Sequence, residues 1–379
     1  MISVICCLKR GDRLLDTYHY FIAFFISLLV TIIATPFVKK IALRYNIVDK
    51  PENRKIHMNS KPRLGGLAIV IGVAAGYLYL TPAPYSPYMP KIIIGAIIIT
   101  IVGILDDKFT LSPKAKLLGQ IIAACIVVSS GLLVDFVTIP FYGKVEFGVF
   151  SYAITILWIV GITNAMNLID GLDGLSAGVS TIALTFFSIM AVIDSQFVAL
   201  GLSIIFLGAT IGFLFFNFHP AEIFMGDTGA LFLGYSISII SILGLFKSVT
   251  LFSLIIPVII LAVPIFDTFF AIIRRLLNKQ KISSPDRRHL HHRLIDMGFS
   301  HKTTVFIIYG VSIFFGISAL VFSASTLWGS LLMISLLLLI LQLTAELIGL
   351  IGEKRKPIVT FLKRLSSTKP ATKPVIKRE

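Results

Sequence analysis

Tyr152-Ala-Ile-Thr-Ile-Leu-Trp-Ile-Val-Gly-Ile-Thr163 runs without a break into Asn164-Ala-Met-Asn-Leu-Ile-Asp-Gly-Leu-Asp-Gly-Leu175. The first half is apolar, as a bilayer-crossing helix must be. The second half places Asn164, Asn167, Asp170 and Asp173 at every third position. Neighbours in that series would lie close together on a helix, as i,i+3 partners do. The first and last would not, because three-residue steps drift around a 3.6-residue turn. Gly171 and Gly174 argue against a straight continuation and for backbone brought close to a ligand. Two carboxylates and two amides at the end of a membrane segment suit a hard cation and a polar substrate. A helix cap followed by a polar turn would use the same residues.

Working outward, the chain of 379 residues is 56% hydrophobic and only 14% charged, which excludes a soluble globular protein of this size. Apolar runs long enough to cross a bilayer recur throughout: 20–38, 64–81, 91–105, 117–134, 150–166, 175–193, 197–216, 229–246, 250–273, 303–323 and 326–350. The fold expected is therefore an all-α integral membrane protein of about eleven transmembrane helices. Residues 1–352 form a single polytopic domain and residues 353–379 a basic tail. Around Tyr142-Gly143, loose alternation predicts a small external β-hairpin. Pro257 and Pro264 should bend the ninth span. Cys6, Cys7 and Cys125 are too few and too badly spaced for a disulfide framework or a zinc site. Lys9, Arg10 and Arg13 precede a long apolar run without a convincing cleavage site, so an uncleaved first span is expected.

Charge sets the orientation. If the loop after the first span is cytoplasmic, 28 of the 34 lysines and arginines fall on that side and six on the other. That bias puts the N-terminus outside and the C-terminus inside. The net charge of +15 is then explained by topology and anionic lipid, not by nucleic acid. Four polar clusters share the predicted cytoplasmic face: residues 106–116, 164–173, 217–229 and 285–293. Asp106 and Asp107 are adjacent acids at a membrane boundary, which a shared cation or proton would relieve. Asp227, between Gly226 and Gly229, reads as a helix N-cap. The N–H groups of Gly65 and Gly66, opening the second span, could face an anion. Asp267 is an acid inside a span, costly unless it serves a function. Ser284, Pro285 and Gly298 outline a helix carrying His289, His291 and His292. Histidines among arginines fit phosphate oxygens better than zinc, since complementary ligands do not assemble around them. Together these clusters imply one site for a divalent cation, phosphates and a polar head group, at a depth that a lipid can reach.

Asp106-Asp107, the Asn164–Leu175 stretch, Phe224-Met-Gly-Asp-Thr-Gly229 and His289-Leu-His-His292 resemble the polyprenyl-phosphate N-acetylhexosamine-1-phosphate transferases, in order and over nearly the whole chain. Lys50-Pro51, Pro62-Arg-Leu-Gly-Gly66 and the histidine run are similar to the branch that acts on UDP-N-acetylglucosamine. Arg293 after the histidines departs from the branch that acts on UDP-muramoyl-pentapeptide. The resemblance implies transfer of a phospho-sugar from a UDP-sugar to undecaprenyl phosphate, with release of UMP. It implies Mg²⁺, with Mn²⁺ able to substitute, held by Asn167 and Asp227. Asp106 would position the lipid phosphate, with Asp107 in support, and Lys116 would steady a phosphate. Asp173 would accept from uracil and Phe224 would stack on it. Asp170 would shape the site, and His289, His291 and His292 would hold the diphosphate or sugar. Direct attack and a covalent phospho-enzyme at Asp106 both remain open. The enzyme would sit in the plasma or inner membrane with its site on the cytoplasmic face, as the first membrane step of a cell-envelope glycopolymer. A homodimer is compatible with the sequence. An anion transporter also fits many spans with intramembrane acids, but the acids cluster at one face and no inverted repeat is visible.

Overall fold

In hydrocarbon every backbone N–H and C=O must be satisfied within its own segment, so apolar runs become helices. The computed structural model describes residues 17–49, 61–80, 87–139, 142–245, 255–281 and 288–349. In chain order these form α1 (Thr17–Arg44), β1 (Val48–Asp49), β2 (Lys61–Pro62), α2 (Gly66–Leu80), α3 (Met89–Phe109) and α4 (Pro113–Val128). There follow β3 (Phe136–Ile139), β4 (Gly143–Glu146), α5 (Phe150–Ile169), α6 (Leu175–Ile193), α7 (Phe197–Asn217) and α8 (Gly226–Leu245). The last elements are α9 (Ile255–Ile260), α10 (Ala262–Leu277), α11 (Leu290–Asp296), α12 (His301–Ser323) and α13 (Leu327–Ile348). The protein is mostly helical, and eight of its helices are long and apolar enough to cross a membrane.

Each of the eleven expected spans meets a helix, but two of these helices fall short of a full crossing by length. α2 has 15 residues, a rise of about 22 Å against the roughly 30 Å of a hydrocarbon core. α4 has 16 residues and begins at Pro113, four residues ahead of the expected start, with Ser112 capping it through Ala115 N–H. The ninth span carries the bend expected of it: α9 ends at Ile260 and α10 starts at Ala262, with Leu261 at φ −95° and ψ +22°. Helical bonds from Leu261 N to Pro257 O and from Ile265 N to Leu261 O run across the kink. Two further expectations are corrected. The histidine helix begins at Leu290, not near Ser284, and residues 282–287 lie outside the described residues. Its stop at Gly298 holds, with φ +94°. Asp227 is not an N-cap but the second residue of α8. The basic tail, residues 1–16 and Lys50-Pro51 also lie outside the described residues.

α8 is the axis of the bundle. Of its membrane-length stretch 94% is buried, against 11% for α13, which therefore flanks the bundle with its apolar faces outward. Around α8 pack α2, α3, α5, α6 and α7. Gly103 lets α3 reach α8 so closely that a Cβ there would collide with Thr228 Cα. This contact brings Asp107, one turn along α3, to the start of α8. The hairpin is present as expected, β3 pairing antiparallel with β4 from Phe136↔Glu146 to Ile139↔Gly143. A second short pair, Val48↔Pro62 and Asp49↔Lys61, was not foreseen. It ties the end of α1 to the segment entering α2.

Candidate active site

The first turn of a helix leaves backbone N–H groups without intrahelical partners. At α8 those donors are served from another helix. Asp107 accepts from Asp227 N (2.8 Å), Thr228 N (2.9 Å) and Thr228 Oγ1 (2.6 Å). Gly226 makes the approach with φ +70°, and a Cβ there would stand 2.6 Å from Asp107 Oδ2. The cap of α8 is thus a carboxylate of α3, which leaves the Asp227 side chain available for other work.

Asp227 Oδ1 accepts from Asn167 Nδ2 at 2.5 Å, at the end of α5. Its Oδ2 receives Arg63 Nη2 at 2.9 Å and Lys116 Nζ at 3.2 Å. Lys116 also pairs with Asp106 Oδ2, and Arg63 Nε lies 3.3 Å from Asp107 Oδ1. Asp106 Oδ1 accepts Leu111 N–H at 2.7 Å, a bond made when Thr110 ends α3 at φ +54°. Asp170 follows α5 at the wall of the same cleft. Burial, and after it the charge of Asp227, pushes the Asp170 carboxyl up to about 8. Four carboxyl groups face two cations here, and with no further cation Asp170 keeps its proton at neutral pH. An all-oxygen set of Asp227, Asp170 and the Asn167 amide, turned to present Oδ1, fits a hard divalent cation. Such a cation would reverse the direction of the Asp170 shift.

Beside this knot lies a cleft of about 430 Å³ lined by Arg63, Asn167, Asp170, Asp173, Phe224, Asp227, His292 and His301, among others. At its far end Asp173 Oδ2 accepts Ala221 N–H at 3.0 Å and His219 Nδ1–H at 2.9 Å, with Lys61 Nζ at 3.6 Å. Burial pushes the Asp173 carboxyl up, but Ala221 N–H, Lys61 and His219 outweigh it and hold the group below its ordinary value. Lys61 Nζ stands 5.1 Å from the centre of the Phe224 ring. Backbone bonds fix this plate, from Phe224 N to Pro62 O and from Gly65 N to Phe224 O, both 2.9 Å. Gly66 N likewise donates to Met225 O. The N–H groups of Gly65 and Gly66, expected to face an anion, are therefore spent on this zipper.

The histidine run meets the cleft from α11. Asp267 of α10 accepts His289 Nδ1–H (2.9 Å) and Leu290 N–H (2.8 Å), so the intramembrane acid caps α11 and anchors its first histidine. His291 is buried against Gly171, where a Cβ would collide with its Nε2. Burial pushes the His291 imidazole down to about 3, so it is neutral at physiological pH. His292 lines the cleft. Of the three expected to touch substrate, His292 is at the cleft wall, while His289 and His291 pack and anchor.

The drift of the Asn/Asp series is realised in full. Asn164 exchanges amide bonds with Gln120 of α4, Asn167 faces Asp227, and Asp173 faces His219 and Lys61. Asn217 joins the loops, accepting Gly174 N–H and donating to Ile223 O. Sequence reasoning missed Lys61, Arg63, Gln120, His219 and His301 as site residues, and left Asp267 without a role. Lys61 and Arg63 lay within a stretch read as an anion-facing loop. An apolar groove of about 310 Å³ runs between α5 and α10, lined by Leu157, Gly161, Ile162, Ala165, Ile265 and Phe269 among others. Ala165 stands at nearly the same height along α5 as Asn167 but about 200° round the helix from it, so the groove ends level with the carboxylate knot on the opposite face of α5.

A family model for glycosyl transferase family 4 matches residues 89–245. The chain is 54% identical to a probable undecaprenyl-phosphate N-acetylglucosaminyl 1-phosphate transferase of Bacillus subtilis, over 91% of this chain and 96% of the relative. It is 35% identical to a decaprenyl-phosphate N-acetylglucosaminephosphotransferase of Mycolicibacterium smegmatis, over 74% and 76%. A phospho-N-acetylmuramoyl-pentapeptide-transferase of Halalkalibacterium halodurans shares 30% identity, over 79% and 94%.

Proposed function

The chain belongs to glycosyl transferase family 4, and we propose that it transfers N-acetylglucosamine-1-phosphate from UDP-N-acetylglucosamine to undecaprenyl phosphate, releasing UMP. The observation that carries this reading is the convergence of carboxylates and cations from α3, α4, α5 and α8 beside a polar cleft, with an apolar groove on the other face of α5 ending at the same height. A water-soluble donor enters by the first and a lipid acceptor by the second. Greater likeness to the N-acetylglucosamine enzymes than to the muramoyl-pentapeptide enzyme supports the choice of sugar.

The roles follow from position. Asp173 and the Phe224 plate, with Lys61, take the uracil end of the cleft. The diphosphate then reaches Arg63, Asn167 and Asp227, with His292 beside it. Asn167, Asp227 and Asp170 would hold Mg²⁺, which when bound neutralises the diphosphate and polarises the bond to be broken. The isoprenoid chain lies along the α5–α10 groove, and its phosphate rounds the end of α5 to reach Asp106 and Lys116. A phosphate's second pKa is near 6, so a general base adds little at neutral pH. Positioning and charge neutralisation by Asp106, Lys116 and Arg63 carry the step, as in other phosphoryl transfers. The acceptor oxygen attacks the β-phosphorus directly and UMP leaves. With 28 basic residues on its side, the site faces the cytoplasm, and the product starts a cell-envelope glycopolymer.

The test offers purified protein undecaprenyl phosphate, Mg²⁺ and two labelled donors, UDP-N-acetylglucosamine and UDP-N-acetylmuramoyl-pentapeptide. The first should give the lipid product. Faster formation of the muramoyl product would overturn the assignment of the sugar.

A further inference from the structure

We propose that Asp173, His219 and His301 form a second metal site, suited to a borderline-soft divalent cation such as Zn²⁺, in the cleft wall away from the carboxylate knot. The three come from separate elements: the loop after α5, the loop after α7 and the first turn of α12. Each offers one ligand atom, and these atoms lie within 4.8 Å of one another. Among the described residues this is the one such group. Two imidazoles and a carboxylate on one side of an ion, with positions left open, is a recognised arrangement for first-row transition metals. The knot around Asp227 offers oxygens alone, so donor chemistry separates the two sites and Mg²⁺ does not compete for this one.

Two of the three are already positioned: Ala221 N–H fixes the buried carboxylate and His219 turns its Nδ1 to it at 2.9 Å. The His301 ring, stacked on His219 at 4.3 Å and 25°, must swing out of the stack to bring its in-plane lone pair to the same ion. Zinc–nitrogen and zinc–oxygen bonds of roughly 2.0–2.2 Å require the donors to close in, a movement of side chains alone. His219 must also shift its ring proton from Nδ1 to Nε2, leaving the Nδ1 lone pair for the ion. Lys61, 3.6 Å from the same carboxylate, must withdraw, which its long stem permits. Because Asp173 also takes the nucleotide base under the function proposed above, the ion and the donor substrate exclude each other. Zinc would then inhibit competitively with the UDP-sugar.

The test uses tag-free full-length protein in detergent with saturating Mg²⁺, titrated with Co²⁺ as a visible-absorption probe and with Zn²⁺ by calorimetry. One equivalent of Co²⁺ should bind and be displaced by Zn²⁺. His219→Gln and His301→Gln should each weaken Zn²⁺ at least tenfold, while His292→Gln leaves it unchanged. His301→Gln keeps the Asp173–His219 bond and carries the test if His219→Gln does not fold. Absence of binding, indifference to both substitutions, or loss in His292→Gln overturns the site. Excess uridine, which carries the base without a chelating diphosphate, should weaken Zn²⁺ tenfold or more. If the histidine variants weaken Zn²⁺ but uridine does not, the metal site stands and the placement of the base at Asp173 falls.

Discussion

Asp107→Asn separates a structural carboxylate from a chemical one. Both oxygens of Asp107 are in use, Oδ1 by Asp227 N–H and Oδ2 by Thr228 N–H and hydroxyl. An asparagine has one acceptor, so one backbone N–H of α8 would face an NH₂ group. The Thr228 hydroxyl can turn to accept and recover its own bond. The net loss is one charge-assisted hydrogen bond, about 1.5–3 kcal/mol. The Arg63 guanidinium, 3.3 Å from the buried Asp107 carboxylate, loses one charge partner but keeps the other in Asp227. We therefore expect a clear fall in melting temperature in detergent and a turnover loss of about tenfold, as Asp227 loses its anchor. Asp106→Asn should do the reverse, a smaller change in melting and about 100-fold or more in rate. If Asp107→Asn melts like the wild type yet is as inactive as Asp106→Asn, the cap reasoning is wrong and Asp107 belongs to the chemistry.

A reporter fused after Arg293 should read cytoplasmic and one within Tyr142–Lys144 external; the same side for both would refute the orientation. Asp267→Ala removes the two bonds that hold His289 and Leu290, and should raise the KM for the UDP-sugar about tenfold with Asp267→Asn in between; an unchanged KM would refute the anchoring role. His291 binds its proton less readily folded than unfolded, with a folded value of about 3 against an ordinary 6.5. Its contribution is therefore full above about pH 6.5 and lost as pH falls towards 3, at about 1.4 kcal/mol per unit in that window. The melting temperature of wild type should fall more steeply below pH 6.5 than that of His291→Asn; parallel pH profiles would show that His291 is not buried neutral.

The membrane class was plain from apolar run length, because hydrocarbon leaves the backbone few alternatives. The meeting of the polar clusters was legible too, since the drift of a three-residue series assigns Asn164, Asn167 and Asp173 to different neighbours. What escaped notice depended on contacts between distant elements. The role of Asp107 requires the close approach at Gly103, and composition carries no sign of which helix lies beyond that glycine. Asp227 was read as a local cap because local capping is the commoner solution, whereas here the cap comes from residues 120 positions away. His219 and His301 were missed because their partner, Asp173, lies far from both in sequence. The short α2 and α4 show where the length of an apolar run overstates a span.

The most direct test follows the β-phosphorus. UDP-N-acetylglucosamine labelled at that atom is given to the purified enzyme with undecaprenyl phosphate and Mg²⁺. The account predicts that the label enters the lipid product, with unlabelled UMP released in equal amount and none released when the lipid is omitted. Label leaving in UDP would mean transfer of the sugar alone and would contradict phospho-sugar transfer. UMP released in an amount equal to enzyme without lipid, and lost in Asp106→Asn, would contradict direct attack.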